Sequence, residues 1–66
     1  MTTWTPDRIR ALRERLGMGQ EEFATTLGYG AAPRVSELET GARTPSGPVS
    51  RLLDYVDRYG PISGEG

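Results

Sequence analysis

The sequence predicts a compact all-α domain built from four short helices. Three observations lead there. Apolar residues recur at helical spacing in four stretches, near residues 6–16, 20–27, 31–40 and 46–59. Glycine or proline separates each stretch from the next. No stretch reads as a strand, and there is neither an internal repeat nor a low-complexity linker.

The first helix is expected from about Pro6 to Leu16. Thr5 can cap it, Pro6 suits the first helical position, and Asp7 complements the positive end of the helix dipole. Ile9, Leu12 and Leu16 follow at i, i+3 and i+7, and Gly17 ends the run. Trp4, just before the cap, is either a hydrophobic lid on its own bundle or part of a subunit interface. The second helix runs from about Gln20 to Leu27, with Glu21 and Glu22 in its first turn and Phe23, Ala24 and Leu27 on its inner face. Gly28 and Gly30 break it, since glycine alone enters left-handed backbone regions cheaply.

The third helix begins between Ala31 and Pro33 and runs to about Thr40, with Val35 and Leu38 pointing inward and Gly41 as its stop. After the loop Ala42–Pro45, Ser46 can cap a fourth helix that carries Val49, Leu52, Leu53 and Val56 and ends at Tyr59-Gly60-Pro61. The domain is thus expected over 1–60, followed by a frayed glycine-rich tail at 61–66.

Sixty-six residues hold one domain but only a small core, so stability is expected to be marginal or shared with a partner subunit. Cysteine and histidine are both absent. Disulfide staples and zinc-finger spacings are therefore excluded, and the usual nucleophile-base arrangements of enzymes are missing. No catalytic residue, metal, cofactor or small-molecule ligand is expected. The lack of cysteine points to the cytoplasm, and no apolar run approaches the length of a membrane span or a signal-peptide core. The formal net charge of −1 and pI of about 5.3 do not advertise nucleic-acid binding. Yet every one of the eight basic residues is Arg, each able to contact phosphate or guanine bidentately, so the distribution of charge has to do what its sum does not.

Two short helices joined by a glycine turn, from Gln20 to Gly41, follow helix-turn-helix grammar. Gln20 opens the second helix, Ala24 stands at a close crossing and Gly28 in the turn. Val35-Ser36, Leu38-Glu39, Gly41 and Pro45-Ser46 follow in order. On these residues the chain resembles the Cro and phage-repressor (Xre) family over roughly residues 7–57. The resemblance implies a four-helix domain of the lambda-repressor-like helix-turn-helix type. The turn from Tyr29 to Arg34 is about one residue longer than the family's common spacing, hence the range given for the start of the third helix.

The resemblance implies that Gln20 meets a DNA phosphate, a role suited to the unpaired N–H groups at a helix start. It also implies that Ala32, Pro33, Ser36 and Glu37 face the major groove, with Arg34 beside them. Arg34 can fork onto a guanine or hold a phosphate, and Glu37 can accept from a cytosine amino group. Alternatively the two form a solvated i, i+3 pair. The resemblance also implies that Arg43 meets a phosphate or the edge of the groove, and Thr44, Ser46 and the N–H groups opening the fourth helix can add a second phosphate clamp. Arg13 and Glu39 match a largely buried pair that sets how the recognition helix sits on its scaffold. In the fourth helix, apolar surface beyond what a core needs suggests a two-fold interface containing Leu52, Tyr55, Val56 and Tyr59.

These readings converge on a sequence-specific regulator, a homodimeric repressor on a short inverted repeat of double-stranded DNA. Small family members of this kind often control their own operon in phages, restriction-modification systems, toxin-antitoxin pairs or beside anti-CRISPR genes. The competing expectation is a protein-interaction module, an antitoxin or antirepressor that keeps the scaffold without DNA affinity. The geometry of charge discriminates: arginines sharing a face with few acids favour DNA, whereas a face dominated by Glu21, Glu22 and Glu37 favours a protein partner.

Overall fold

Thr5 opens the first helix as its chemistry suggests: its hydroxyl accepts the N–H of Arg8 at 3.2 Å, and Pro6 fills the first turn. A computed structural model describes residues 3–60, in which the elements are α1 (Pro6–Arg15), α2 (Gln20–Thr26), α3 (Ala32–Thr40) and α4 (Gly47–Tyr59). No strand occurs among the described residues. The expected frayed tail, 61–66, lies outside them.

The ends of α1 and α2 are closed in the same way. Leu16 and Leu27, expected as last helical residues, are the C-caps, and Gly17 and Gly28 follow with φ of +71° and +84°. Those left-handed residues let the next two N–H groups turn back: Gly17 onto Glu14 and Met18 onto Arg13, Gly28 onto Thr25 and Tyr29 onto Ala24. The otherwise orphaned last carbonyls are thereby satisfied. The turn after Gly28 continues through Gly30 to an extended Ala31, so α3 begins at Ala32. Pro33 falls in its first turn, where a missing N–H costs nothing. At the far end Ser46 caps α4, its hydroxyl accepting Val49 N–H at 3.4 Å.

Ile9 and Leu12 of α1, Phe23, Ala24 and Leu27 of α2, Val35 and Leu38 of α3, and Leu53 and Val56 of α4 form one buried cluster, joined by Trp4. Ala24, on the helix that packs against α3, is 1% exposed, a place that rewards a small side chain. Trp4 closes the cluster within its own domain: the residue is 8% exposed and its Nε1 donates to Asp54 Oδ1 on α4 at 2.7 Å. The Arg8 guanidinium lies 5.7 Å from the Trp4 ring centroid. Arg15 adds a second tie to α4 through Asp57 Oδ1 at 2.6 Å.

One expectation for α4 is corrected. Val56 is fully buried among the core residues and has no surface to give to a second subunit. Val49, Leu53 and Val56 lie on one side of the helix. Leu52, Tyr55 and Tyr59 form an adjacent stripe at i, i+3 and i+7 that the core leaves progressively uncovered. Leu52 is half-buried, whereas Tyr55 and Tyr59 are 49% and 67% exposed with ring centroids 4.9 Å apart.

Candidate nucleic-acid interface

The position of α3 is set from behind by a buried carboxylate. Glu39 stands on the inner side of the last turn of α3 and is 4% exposed, the one charged residue in the core among the described residues. Burial of an ion is tolerable only where donors surround it. Arg13 of α1 supplies two, Nε to Oε2 at 2.6 Å and Nη2 to Oε1 at 3.2 Å, a bidentate fork. The same guanidinium donates through Nη1 to the Met18 carbonyl at 2.9 Å, which fixes it from the other side. Its hydrogen bond to Glu39 raises the Arg13 pKa, against the opposing effect of burial, so the guanidinium stays charged.

Two further groups reach Glu39. Arg10 Nε lies 3.5 Å from Oε1, and Arg10 Nη2 donates to the Glu39 carbonyl at 3.3 Å. Gln20 Nε2 donates to Oε1 at 3.4 Å. One carboxylate thus links α1, α2 and α3, and no buried side-chain polar atom lacks a partner among the described residues. Arg10 escapes a reading by pattern alone, although its place three residues before Arg13 puts both on one side of α1. Gln20, expected to meet a phosphate, turns one amide hydrogen toward Glu39. The amide carries two hydrogens, so one remains for a ligand while the other holds Glu39.

A second group forms on the outer side of α3 and the loop after it. Arg43 Nε donates to Glu37 Oε1 at 2.9 Å, and Arg34 Nη1 lies 3.8 Å from the same oxygen. All three side chains are between 42% and 49% exposed. The hydrogen bond from Arg43, helped by the charges of Arg43 and Arg34, holds the Glu37 carboxyl below the usual carboxylate range. Two cations around one anion leave a local excess of positive charge that the net charge of the chain conceals.

Ala32 and Ser36 are half-buried along the same helix, and Pro33 is exposed at its start. Thr44 and Ser46 are exposed beyond Arg43. The Ser46 hydroxyl oxygen already serves as the cap of α4, which leaves its own hydrogen for an outside acceptor. Arg34, Glu37 and Arg43 are therefore brought together, and Gln20 joins the inner group with Arg13 and Glu39. Glu22 is occupied at the start of α2, accepting the N–H of the capping residue Gly19 at 3.2 Å. A helix-turn-helix domain family matches residues 7–60, which spans α1 from its second residue through the end of α4. A search of curated proteins finds no match.

Proposed function

Because this chain belongs to the helix-turn-helix domain family of the Xre and Cro type, a family of DNA-binding modules, we propose that it is a sequence-specific transcriptional repressor acting as a homodimer on a short inverted repeat, its own promoter included. The observation that carries the reading is the division of labour on α3. Its inner side is clamped through Glu39, while its outer side presents Arg34 and, from the next loop, Arg43. A helix held rigidly behind and cationic in front is what entry into a major groove requires.

In this reading Arg34 contacts a base edge, and Arg43, Thr44, Ser46 and the spare amide hydrogen of Gln20 contact phosphates. Ala32 and Pro33 offer no side-chain donor, so they read a thymine methyl or the shape of the groove. Ser36 and Glu37 add hydrogen bonding within it. The test is an anisotropy titration against the DNA upstream of its own gene, with a scrambled competitor, at several salt concentrations. Parent binding should prefer the upstream duplex and weaken with salt. Arg34→Ala is expected to lose about 1–3 kcal/mol of preference at one base position while melting like the parent. No preference over the scrambled duplex in low salt would overturn the reading. It would favour a protein-interaction module, to which the acidic balance of the whole chain is suited.

Dimerisation is proposed through the outer stripe of α4, Leu52, Tyr55 and Tyr59, without Val56. Two copies spanning half-sites about 34 Å apart convert a handful of weak contacts per copy into useful affinity. Sedimentation at micromolar concentration is expected to give the dimer mass for the parent and the monomer mass for Tyr59→Glu. A parent that sediments only as a monomer would count against this interface.

A further inference from the structure

We propose that Glu37 is an internal counter-ion that restrains Arg34 and Arg43 from phosphate until the protein meets a duplex able to satisfy the Glu37 carboxylate. The proposal rests on the DNA-binding reading above and concerns how that same surface discriminates. Residue 37 holds Arg43 at two points. The side-chain Nε donates to Oε1 at 2.9 Å, and the Arg43 backbone N–H donates to the Glu37 carbonyl at 3.2 Å. The Thr40 hydroxyl donates to the same carbonyl at 3.3 Å, so the end of α3 and the start of the loop close around one residue. Arg34, one turn earlier on α3, approaches the same carboxylate oxygen at 3.8 Å.

The consequence differs between sequences. On an arbitrary duplex, drawing either arginine onto a phosphate strips the carboxylate of a partner and leaves it beside a polyanion. On a duplex that places a cytosine amino group within reach, N4–H replaces the hydrogen bond lost from Arg43, so turning the arginines outward costs less there. Glu37 therefore weakens arbitrary binding more than preferred binding. Because the three side chains are about half exposed, each pairing is individually modest, and the effect is on discrimination rather than on folding.

Glu37→Gln keeps the shape and removes the charge, and its exposed position leaves the fold intact. The parent and the variant are titrated by anisotropy with a random-sequence duplex and with the upstream duplex across a salt series. The variant is expected to bind the random duplex about threefold to tenfold more tightly, and to gain less on the upstream duplex. The slope of log affinity against log salt on random DNA should steepen by about one to two, as released arginines take up phosphates. Loss of a nearby negative charge alone would also tighten binding, so the same change is made in an Arg43→Ala background. There the gain should shrink, because the more closely held of the two cations is gone. A gain of equal size in both backgrounds, or an unchanged random-duplex affinity and slope in Glu37→Gln, would overturn the counter-ion role while leaving the DNA reading in place. Absence of binding by parent and variant alike would overturn both.

Discussion

Glu39→Ala is expected to lower stability by about 2–4 kcal/mol and the melting temperature by roughly 10–25 °C. The substitution removes the acceptor for the Arg13 fork, the Gln20 amide and Arg10, three ties that join α1 and α2 to α3. It also leaves a hole beneath the last turn of α3. The Arg13 side chain is 15% exposed against 2% for Glu39, so an orphaned guanidinium recovers some hydration, which keeps the cost at the lower end for a broken buried pair. Glu39→Gln retains acceptor and shape and should cost less than Glu39→Ala. Exchanging both partners for apolar residues of similar volume can be nearly neutral for stability, since two desolvated ions are removed along with their attraction. What such an exchange loses is the fixed setting of α3. Thermal melts followed by circular dichroism decide the matter: a Glu39→Ala midpoint equal to that of the parent would remove the clamp from the account of this fold.

The places where the chain could be read from its residues are those where a local rule acts alone. Thr5, Pro6, Ser46 and the glycines after α1, α2 and α3 mark helix ends through chemistry confined to four or five residues, and each stands where such chemistry puts it. The inner positions Ile9, Leu12, Phe23, Val35 and Leu38 follow from spacing alone. In α4 spacing is ambiguous for a physical reason. Two apolar stripes lie side by side, Val49, Leu53 and Val56 against Leu52, Tyr55 and Tyr59, and periodicity cannot say which of them another helix will cover. Packing resolves it, burying Val56 and exposing Tyr59.

Pairings across long stretches of chain were the other illegible part. Trp4 with Asp54 and Arg15 with Asp57 join α4 to residues more than forty positions away, and nothing local to either partner announces the other. Residue types alone give Glu37 a choice between Arg34, three positions before it, and a base. Its principal partner is Arg43, brought round by the loop after Gly41. The same limit explains Gln20, a helix opener by pattern whose amide is engaged by a carboxylate nineteen residues later. The residues of the candidate site can thus be proposed from the sequence, but their division into an inner clamp and an outer cationic cluster requires the fold.

Phe23→Ala separates that inner scaffold from the outer surface. Phe23 of α2 is the largest fully buried side chain among the described residues and shares the core cluster with Val35 and Leu38 of α3. Its truncation is expected to cost about 3–5 kcal/mol, the lost transfer energy plus the cavity left behind. A domain of this size has a total stability of only about 3–10 kcal/mol, so the variant is left with a narrow margin and, toward the lower end of that range, is largely unfolded at ambient temperature. No atom that would touch DNA has been changed. A duplex that binds only the folded form at about a hundred times its dissociation constant returns about 2.7 kcal/mol. Adding the preferred duplex should therefore restore much of the helical signal of Phe23→Ala and raise its melting midpoint steeply with DNA concentration. Arg34→Ala should behave in the opposite way, with a parental midpoint in the absence of DNA and a weaker response to it. If Phe23→Ala melted like the parent, the core would not be what holds α3 in place. If its folded fraction ignored DNA while the parent bound tightly, recognition would not require the folded arrangement of α2 and α3.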